Sequence, residues 1–348
     1  MTPARILLVY TGGTIGSFED PDSGALRPFD FDHLKSRIPE IDALEVDLDF
    51  EPMTPIDSSD MSIERWGELA RLLFHRRERY DGFVVLHGTD TMAYSASALS
   101  FMLPNFGKPI VLTGSQLPIG VVRTDGKENL LTAIEIAGTW DSSDPERGPL
   151  VREVVVYFGD KLMRGNRSHK QDAEGFQALV SPNFPDLAEV GVHVRFRRDH
   201  LLRPLGDAGL LEALDPGVTV VHLIPGMTPE ALSHQLCIPG LRAAVLRTYG
   251  SGNAPRDPLF LGILTAAQER GIFLVNVTQC GVGSVDANRY VTGAGLTRIG
   301  VEPSLDITLE AAVTKLMVLA AIHPDRESLR DSFKQDLAGE QTPAFIMR

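Results

Sequence analysis

Two short segments, each directly after an apolar run, carry the side chains best suited to chemistry. The first, "YTGGTIG", places Thr14 after Gly12 and Gly13. These glycines leave room around the hydroxyl for a substrate and for N–H donors to a developing oxyanion. A threonine hydroxyl is a poor nucleophile alone and needs a base nearby; the second segment, "HGTDT", offers Thr89 and Asp90. A lone Thr after Gly is usually a helix cap, but two such segments favour nucleophilic catalysis by threonine.

Other chemistries lack their sequence patterns. The dinucleotide pattern G-x-G-x-x-G is absent, and "GVVRTDGKE" departs from a P-loop in spacing and in having Glu128 where a magnesium-binding hydroxyl belongs. The serine-hydrolase elbow G-x-S-x-G is also absent. The nine histidines are scattered, so we expect no metal site. We interpret His87, beside Gly88, as a structural histidine rather than a base.

Short runs rich in Val, Ile and Leu must position these segments. Runs without strict alternation, separated by helices, indicate parallel strands buried on both faces. Three of them end in "TGGT", "HGTDT" and "TGSQ", and a ligand crevice in a parallel sheet lies beyond the carboxyl ends of its strands. We therefore expect these three loops to line one site. The apolar runs are "RILLVY", "EVDLDF", "GFVVLH", "KPIVLT", "EVVVYF", "VTVVHLI", "RAAVLRTY" and "GIFLVNV", and helices are predicted at 62–80, 92–103, 125–137, 229–236, 258–270 and 308–323.

The chain of 348 residues is long for a single core and suits two domains. Around 191–217 the periodicity is lost and charge, Gly and Pro increase, which is typical of a domain boundary. We predict an N-terminal catalytic α/β domain at 1–192, a linker at 193–216 and a C-terminal α/β domain at 217–348.

Composition limits the partners. The 33 Lys and Arg against 46 Asp and Glu give a net charge of −13, which repels nucleic acid and anionic lipid. The two cysteines, Cys237 and Cys280, could form one bridge at most, and the apolar run near the N-terminus is too short for a signal peptide. We expect a cytoplasmic protein with a small-molecule partner and no membrane span.

The motifs extend over nearly the whole chain and resemble one family. "YTGGTIG", "DSSDM" and "LHGTDTMAYSASALSFML" are similar to segments of the bacterial-type L-asparaginases, in particular the cytoplasmic type I group. "LTGSQLP", "RTDGKENL", "RGNRSHK", "YGSGNAP" and "VNVTQC" extend the similarity. The resemblance implies a cofactor-free amidohydrolase that converts L-asparagine and water to L-aspartate and ammonia through an acyl-threonine intermediate. With it we expect a larger flavodoxin-like parallel sheet followed by a smaller Rossmann-like domain.

The same resemblance implies the catalytic roles. Thr14 corresponds to the primary nucleophile, and Thr89 and Asp90 to the second threonine and its acidic neighbour. The lysine of the family corresponds to Lys170 of "RGNRSHK" rather than to Lys161. Thr89 would position the hydrolytic water and Lys170 would accept its proton.

Substrate binding is implied at a second set of residues. Asp57, Ser58 and Ser59 match the loop that holds the α-carboxylate and α-amino groups of the substrate, and Ser115 of "LTGSQLP" is included with them. Asn253 of "GSGN" matches a residue that such enzymes reach across a subunit interface. The resemblance thus implies a homodimer or homotetramer with sites at the interface.

The chain departs from the family pattern in one segment. Many members carry a tyrosine about ten residues after the nucleophile, where it activates the first threonine. Here "SFEDPDSGALRPFD" has Ala25 and Leu26 in that region and no tyrosine. The segment has the composition of a mobile lid, and either another group or water must act on Thr14.

Three further interpretations stay open. Arg247 and Cys280 match positions of a regulatory asparagine site in some cytoplasmic members, although His169 stands where a threonine is expected. A catalytically weak amino-acid sensor on the same fold is one alternative function. The other is the asparaginase-like subunit of a transfer-RNA amidotransferase, which carries an extension before the catalytic domain; the net charge argues against it.

Overall fold

A computed structural model describes residues 2–19, 26–28, 34, 36, 38–144, 148–285 and 294–343. The chain divides into two compact units, Met1–Glu212 and Ala213–Arg348, and each is built around its own sheet. The domain bounds 1–192 and 217–348 stay a prediction.

Most strands of the first unit belong to one eight-stranded sheet, in the order β12-β11-β8-β7-β6-β5-β1-β4. Pairing is parallel from β4 to β7 and antiparallel from β7 to β12. Two separate ladders pair β2 with β3 and β9 with β10. The strands are β1 (Ala4–Gly12), β2 (Ser17–Glu19), β3 (Leu26–Pro28), β4 (Val46–Ile56), β5 (Gly82–Leu86), β6 (Ile110–Thr113), β7 (Val154–Phe158), β8 (Lys161–Arg164), β9 (His169–Lys170), β10 (Leu179–Val180), β11 (Ala188–Val190) and β12 (Val194–Phe196).

The parallel half of this sheet confirms the interpretation of the apolar runs. Every residue of β5, β6 and β7 is buried, as expected for strands covered on both faces. The antiparallel half was not predicted. It begins at Gly159, whose φ of 67° permits the tight turn that returns the chain from β7 to β8.

Three helices of the first unit begin where the sequence predicts. They are α1 (Ile63–Arg76), α2 (Met92–Met102) and α3 (Gly126–Ala137). The Ser62 hydroxyl accepts a hydrogen bond from the Arg65 N–H and so caps α1. Helix α2 is buried almost all around, which fits its run of Ala, Ser, Leu and Met. These helices connect the strands whose carboxyl ends carry the three polar loops.

The second unit has a four-stranded parallel sheet in the order β13-β14-β15-β16. The α/β fold class, with a large parallel-rich sheet and a separate smaller parallel sheet, is confirmed. None of the helices in the described part of the chain is both long and apolar enough to cross a bilayer. The elements are β13 (Val218–His222), α4 (Pro229–Leu236), β14 (Ala243–Thr248), α5 (Pro258–Glu269), β15 (Phe273–Thr278), α6 (Ala294–Arg298), β16 (Glu302–Pro303), α7 (Leu309–Ile322) and α8 (Arg326–Phe333).

Candidate active site

A cavity of about 460 Å³ opens in the first unit beyond the carboxyl ends of its parallel strands. The loops after β1, β5 and β6 all contribute to it, so the expectation that these three loops meet is confirmed. The walls are mostly polar backbone, hydroxyl, carboxylate and amino groups, which suits a small and charged ligand. Its lining residues are Tyr10, Gly12, Gly13, Thr14, Pro55, Ile56, Asp57, Ser58, Gly88, Thr89, Asp90, Gln116, Lys170 and Ala173.

The glycines before Thr14 are required by the backbone rather than by a phosphate. Gly12 and Gly13 have φ angles of 121° and 90°, which residues with a side chain rarely adopt. A Cβ at Gly12 would lie 2.0 Å from the Ile56 carbonyl oxygen, and one at Gly13 would lie 2.5 Å from the Gly88 nitrogen. The loop after β1 therefore contacts the backbone at the end of β4 through Gly12 and the backbone of the loop after β5 through Gly13. Thr14 follows at the start of the short helix Thr14–Gly16.

The loop after β4 is tied to the loop after β5. Asp57 caps the short helix Ser58–Asp60, because its carboxylate accepts hydrogen bonds of 2.8 Å from the Ser59 N–H and hydroxyl. These bonds hold the pKa of Asp57 below its ordinary value, so the carboxylate stays charged beside the cavity. The Ser58 carbonyl accepts a hydrogen bond of 2.7 Å from the Thr91 hydroxyl. Asp57 and Ser58 line the cavity, whereas Ser59 supports Asp57 from behind.

Thr89, Asp90 and Lys170 form a hydrogen-bonded group in the cavity. Lys170 lies in β9, where it pairs with Leu179 of β10, and its side chain is 18% exposed. Its Nζ donates to Thr89 Oγ1 at 2.9 Å and to Asp90 Oδ1 at 2.6 Å. The carboxylate of Asp90 is itself 61% exposed. The structure therefore couples Lys170 to the hydroxyl of Thr89 across 81 residues of sequence.

Gln116 is the residue at this site that the sequence interpretation missed. Thr89 Oγ1 donates to Gln116 Oε1 at 3.4 Å, while Gln116 Nε2 donates to the carbonyls of Ala173 and Gly175 at 3.2 and 3.1 Å. Gln116 thereby links the Thr89 hydroxyl to the turn that follows Lys170. Its position in "TGSQ", one of the three strand-end loops, was the signal that could have identified it.

Ser115 stands next to Gln116 but does not line the cavity in the described structure. It is buried, and its hydroxyl donates to the Leu117 carbonyl at 2.6 Å. Asp125 accepts from the N–H groups of Gln116 and Leu117. These bonds fix the loop after β6, so Ser115 shapes the loop while its neighbour faces the cavity.

Thr14 is placed differently from Thr89. Among the residues that the structure describes, none forms a hydrogen bond with its hydroxyl, which leaves that oxygen available to a ligand. Tyr10 also lines the cavity, and its hydroxyl donates to the Gly16 carbonyl at 3.0 Å. The predicted lid overlaps residues 20–25 and 29–30, and Ala25 lies outside the described residues; β2 and β3 flank it as an antiparallel pair.

The remaining predicted residues belong to the second unit. Asn253 forms a tight loop after β14, in which it exchanges backbone hydrogen bonds with Tyr249 at 2.8 and 2.9 Å. Arg247, in β14, donates from Nη2 to the Gln279 carbonyl at 3.2 Å, and Cys280 follows as a free, exposed thiol. Arg247 thus contacts the residue that precedes Cys280, and the shared effector site stays a prediction. Within the described residues no cluster of three or more His, Cys, Asp or Glu could hold a metal ion.

Comparison with known proteins points to one family. Residues 5–202 match the family model of the asparaginase N-terminal domain, and residues 217–333 match that of the glutaminase/asparaginase C-terminal domain. L-asparaginase 1 of Escherichia coli strain K12 is 41% identical over 352 residues, which cover 99% of both chains. The human 60 kDa lysophospholipase is 38% identical over 369 residues, covering 98% of this chain and 62% of that protein.

Solved structures show the same likeness. L-asparaginase I from Vibrio cholerae O1 biovar eltor superposes with a TM-score of 0.88 at 37% identity, covering 98% of this chain and all of the other. The thermostable L-asparaginase of Thermococcus kodakarensis also gives a TM-score of 0.88, at 34% identity and 98% coverage of this chain and 100% of that one. The chain belongs to the asparaginase family and is an amidohydrolase.

Proposed function

We propose that this protein hydrolyses L-asparagine to L-aspartate and ammonia through an acyl-enzyme intermediate on Thr14. The observation that carries the proposal is the contact of 2.9 Å between Lys170 Nζ and Thr89 Oγ1 in a cavity that Thr14 also lines. Two threonines, one with an unengaged hydroxyl and one coupled to a lysine, supply a nucleophile and a water-activating group. The L-asparaginases to which the chain is similar support asparagine as the substrate.

Substrate binding uses the charged wall of the cavity. The Asp57 carboxylate, kept ionised by Ser59, pairs with the α-ammonium group of the amino acid. Ser58 and the backbone around it bind the α-carboxylate. Asn253 of a second copy completes the pocket, which makes a homodimer or a homotetramer the working form.

Acylation begins at Thr14. Its oxygen attacks the carbon of the β-carboxamide, and the carbonyl oxygen becomes an oxyanion beside the N–H groups of the glycine loops. The C–N bond then breaks, and the proton lost by Thr14 leaves on the amide nitrogen as ammonia. One preorganised N–H donor contributes about 3 kcal/mol to lowering such a barrier.

Deacylation uses the second threonine. Thr89 holds a water molecule against the acyl carbon, and Lys170 accepts the proton that the water loses. Attack of the water breaks the ester, releases L-aspartate and returns the proton to the oxygen of Thr14. Asp90 neutralises the positive charge that forms on Lys170, since its carboxylate lies 2.6 Å from Nζ.

We place this reaction in the cytoplasm, as expected from the composition of the chain. Arg247 and Cys280 are proposed as an effector site for the same amino acid, because Gln279 links the two segments that carry them. A sigmoidal dependence of the initial rate on asparagine concentration would accompany such a site, and a hyperbolic one would contradict it.

The direct test is steady-state ammonia release with L-asparagine and, in parallel, L-glutamine. We expect activity in the wild type, none in Thr14→Ala, and partial activity in Thr14→Ser, which keeps a hydroxyl. Thr89→Val should be strongly impaired. Thr265→Ala, which removes a hydroxyl bonded only within α5, is the matched control and should retain the wild-type rate.

Three outcomes would count against the proposal. Full activity in Thr14→Ala would remove the nucleophile. Tight asparagine binding by calorimetry without ammonia release would instead indicate the amino-acid sensor. Retention on transfer RNA at moderate salt would favour the amidotransferase subunit.

A further inference from the structure

The buried imidazole of His87 lies directly behind the loop that carries Thr89. His87 follows β5 and is 1% exposed. Its Nδ1 lies 2.7 Å from the Gly88 carbonyl oxygen, and its Nε2 lies 2.8 Å from Ser95 Oγ in the first turn of α2. Trp66 Nε1 of α1 donates to the same Ser95 oxygen at 2.8 Å. A hydrogen-bonded chain therefore connects two helices to the active-site loop.

The partners in this chain fix the proton positions. A carbonyl oxygen only accepts, so Nδ1 of His87 carries the proton and donates to Gly88. Burial lowers the pKa of His87 to about 4, so the ring is neutral near pH 7 and Nε2 is an acceptor. Ser95 donates its proton to Nε2 and accepts from Trp66. Each donor and each acceptor of the chain is used once, and the imidazole has a single tautomer.

The bond from His87 also determines which way the next N–H points. The Gly88 carbonyl and the Thr89 N–H belong to one peptide unit, which is trans, so they point in opposite directions. The carbonyl points into the protein toward His87, while Gly88 and Thr89 both line the cavity. Within the described residues, no acceptor is bonded to the Thr89 N–H. An unused donor on the cavity side is what an oxyanion requires.

Close packing confines the Gly88–Thr89 peptide. A Cβ at Gly88 would lie 2.5 Å from Ser58 Oγ, and one at Gly13 would lie 2.6 Å from the Gly88 Cα. The peptide is therefore confined by the Ser58 side chain on one side and by the Gly13 backbone on another, while His87 holds its carbonyl oxygen.

We infer that His87 is a positioning residue, which orients the Gly88–Thr89 peptide so that the Thr89 N–H donates to the oxyanion formed during amide hydrolysis. The inference rests on the proposed function and assigns the imidazole a role other than acid or base. Ser95 and Trp66 act through His87 by keeping its ring in one orientation.

A pair of substitutions separates this role from simple packing. The amide of His87→Asn can take the place of Nδ1 and donate to Gly88, whereas that of His87→Gln takes the place of Nε2 and reaches Ser95 instead. Both remove the ring. We expect His87→Asn to keep kcat within about threefold of the wild type, and His87→Gln to lose at least about tenfold in kcat with KM unchanged, because the oxyanion bond exists only in the transition state.

Ser95→Ala provides the second comparison, with Ser97→Ala as its matched control. Both serines are fully buried in α2, but Ser97 bonds only to the Ala93 carbonyl of its own helix. We expect Ser95→Ala to lower kcat by about threefold to tenfold, since the ring is then held at one nitrogen only, and Ser97→Ala to leave it unchanged.

Affinity for the aldehyde analogue of L-aspartate gives a readout that does not need turnover. Attack of a threonine oxygen on its CHO carbon forms a hemiacetal whose oxygen occupies the oxyanion position. We expect His87→Gln to weaken binding of the aldehyde at least tenfold and to leave binding of L-aspartate unchanged. Equal losses in the Asn and Gln variants, or wild-type behaviour of the Gln variant, would overturn the inference. The wild-type rate of ammonia release decides the proposed function separately.

Discussion

Gly13 packs against Gly88 so closely that a Cβ added at Gly13 would lie 2.5 Å from the Gly88 backbone nitrogen. The loop that carries Thr14 and the loop that carries Thr89 are thus in backbone contact. Glycine at both positions is a condition for placing two threonines around one small cavity.

Gly13→Ala should abolish activity and lower stability. The new methyl group would collide with the Gly88 backbone, and the φ of 90° at Gly13 is unfavourable for alanine. We expect a loss of at least about a hundredfold in kcat/KM, since misplacement by about 1 Å is enough for that. Gly262→Ala in α5, where a Cβ meets nothing within 4 Å, is the control and should be as active as the wild type. Ammonia release and thermal unfolding measure both; an active Gly13→Ala enzyme would refute the packing argument.

Lys170→Met should lower kcat by about a hundredfold to ten-thousandfold, the usual range for a positioned general base. The methionine keeps much of the volume of the side chain but cannot accept a proton or bond to Thr89. Lys161→Met is the matched control, because Lys161 pairs at 3.8 Å with Asp186 outside the cavity. The two substitutions differ only in which lysine is lost. Equal activities in the two variants would show that Lys170 has no part in the reaction.

Acid should destabilise the protein through His87. The pKa of His87 is depressed by burial from 6.5 to about 4, so the unfolded chain binds an extra proton between those values. The corresponding stability is complete above pH 6.5 and is lost as the pH falls toward 4, by about 3 kcal/mol in total.

Urea unfolding at a series of pH values measures this loss. His87→Asn should flatten the profile in that window, while His75→Asn at an exposed position of α1 should leave the wild-type slope. A slope between pH 4 and 6.5 that is the same in His87→Asn and the wild type would contradict the assignment.

Lys315→Met should destabilise the second unit by about 3–5 kcal/mol. Lys315 is fully buried in α7, where it pairs with the equally buried Glu340 and donates to the carbonyls of Phe333 and Gln335 at 2.7 and 2.6 Å. Removing one partner leaves a buried charge uncompensated. Lys334→Met removes the ammonium group of a side chain that is 40% exposed and forms only long pairs at 3.9 and 4.0 Å, so it should change stability by less than about 1 kcal/mol. Urea unfolding measures both variants. A loss of less than about 1 kcal/mol in the free energy of unfolding of Lys315→Met would contradict this prediction.

Much of the fold was predictable because its signals are local. Thr228 and Thr308 cap α4 and α7 by accepting from the N–H three residues ahead, and such a contact can be identified from the sequence alone. The antiparallel strands β11 and β12 were missed, because short polar strands acquire their identity from a distant partner. Helix α8 was missed since only Leu329 and Phe333 of its eight residues are buried.

The residue types at the site could be predicted from the sequence, but the hydrogen bonds between them could not. The three strand-end loops and Lys170 could be singled out from the sequence, whereas the role of Gln116 depends on carbonyls 57 and 59 residues away. The interpretation of His87 as a structural histidine agrees with its burial, but its bond to Gly88 required the structure. Sequence patterns identify which groups are present, and the rotation of a peptide or an amide is set by packing.

The most direct test of the account is to locate the acyl group. The wild type and Thr89→Val are mixed with L-asparagine, quenched in acid within the first turnover and analysed by intact-protein and peptide mass spectrometry. We predict an aspartyl ester on the peptide that contains Thr14, with a higher occupancy in Thr89→Val because deacylation is slowed. An ester on Thr89 in the wild type, or ammonia release without any ester on Thr14 in Thr89→Val, would contradict the central claim.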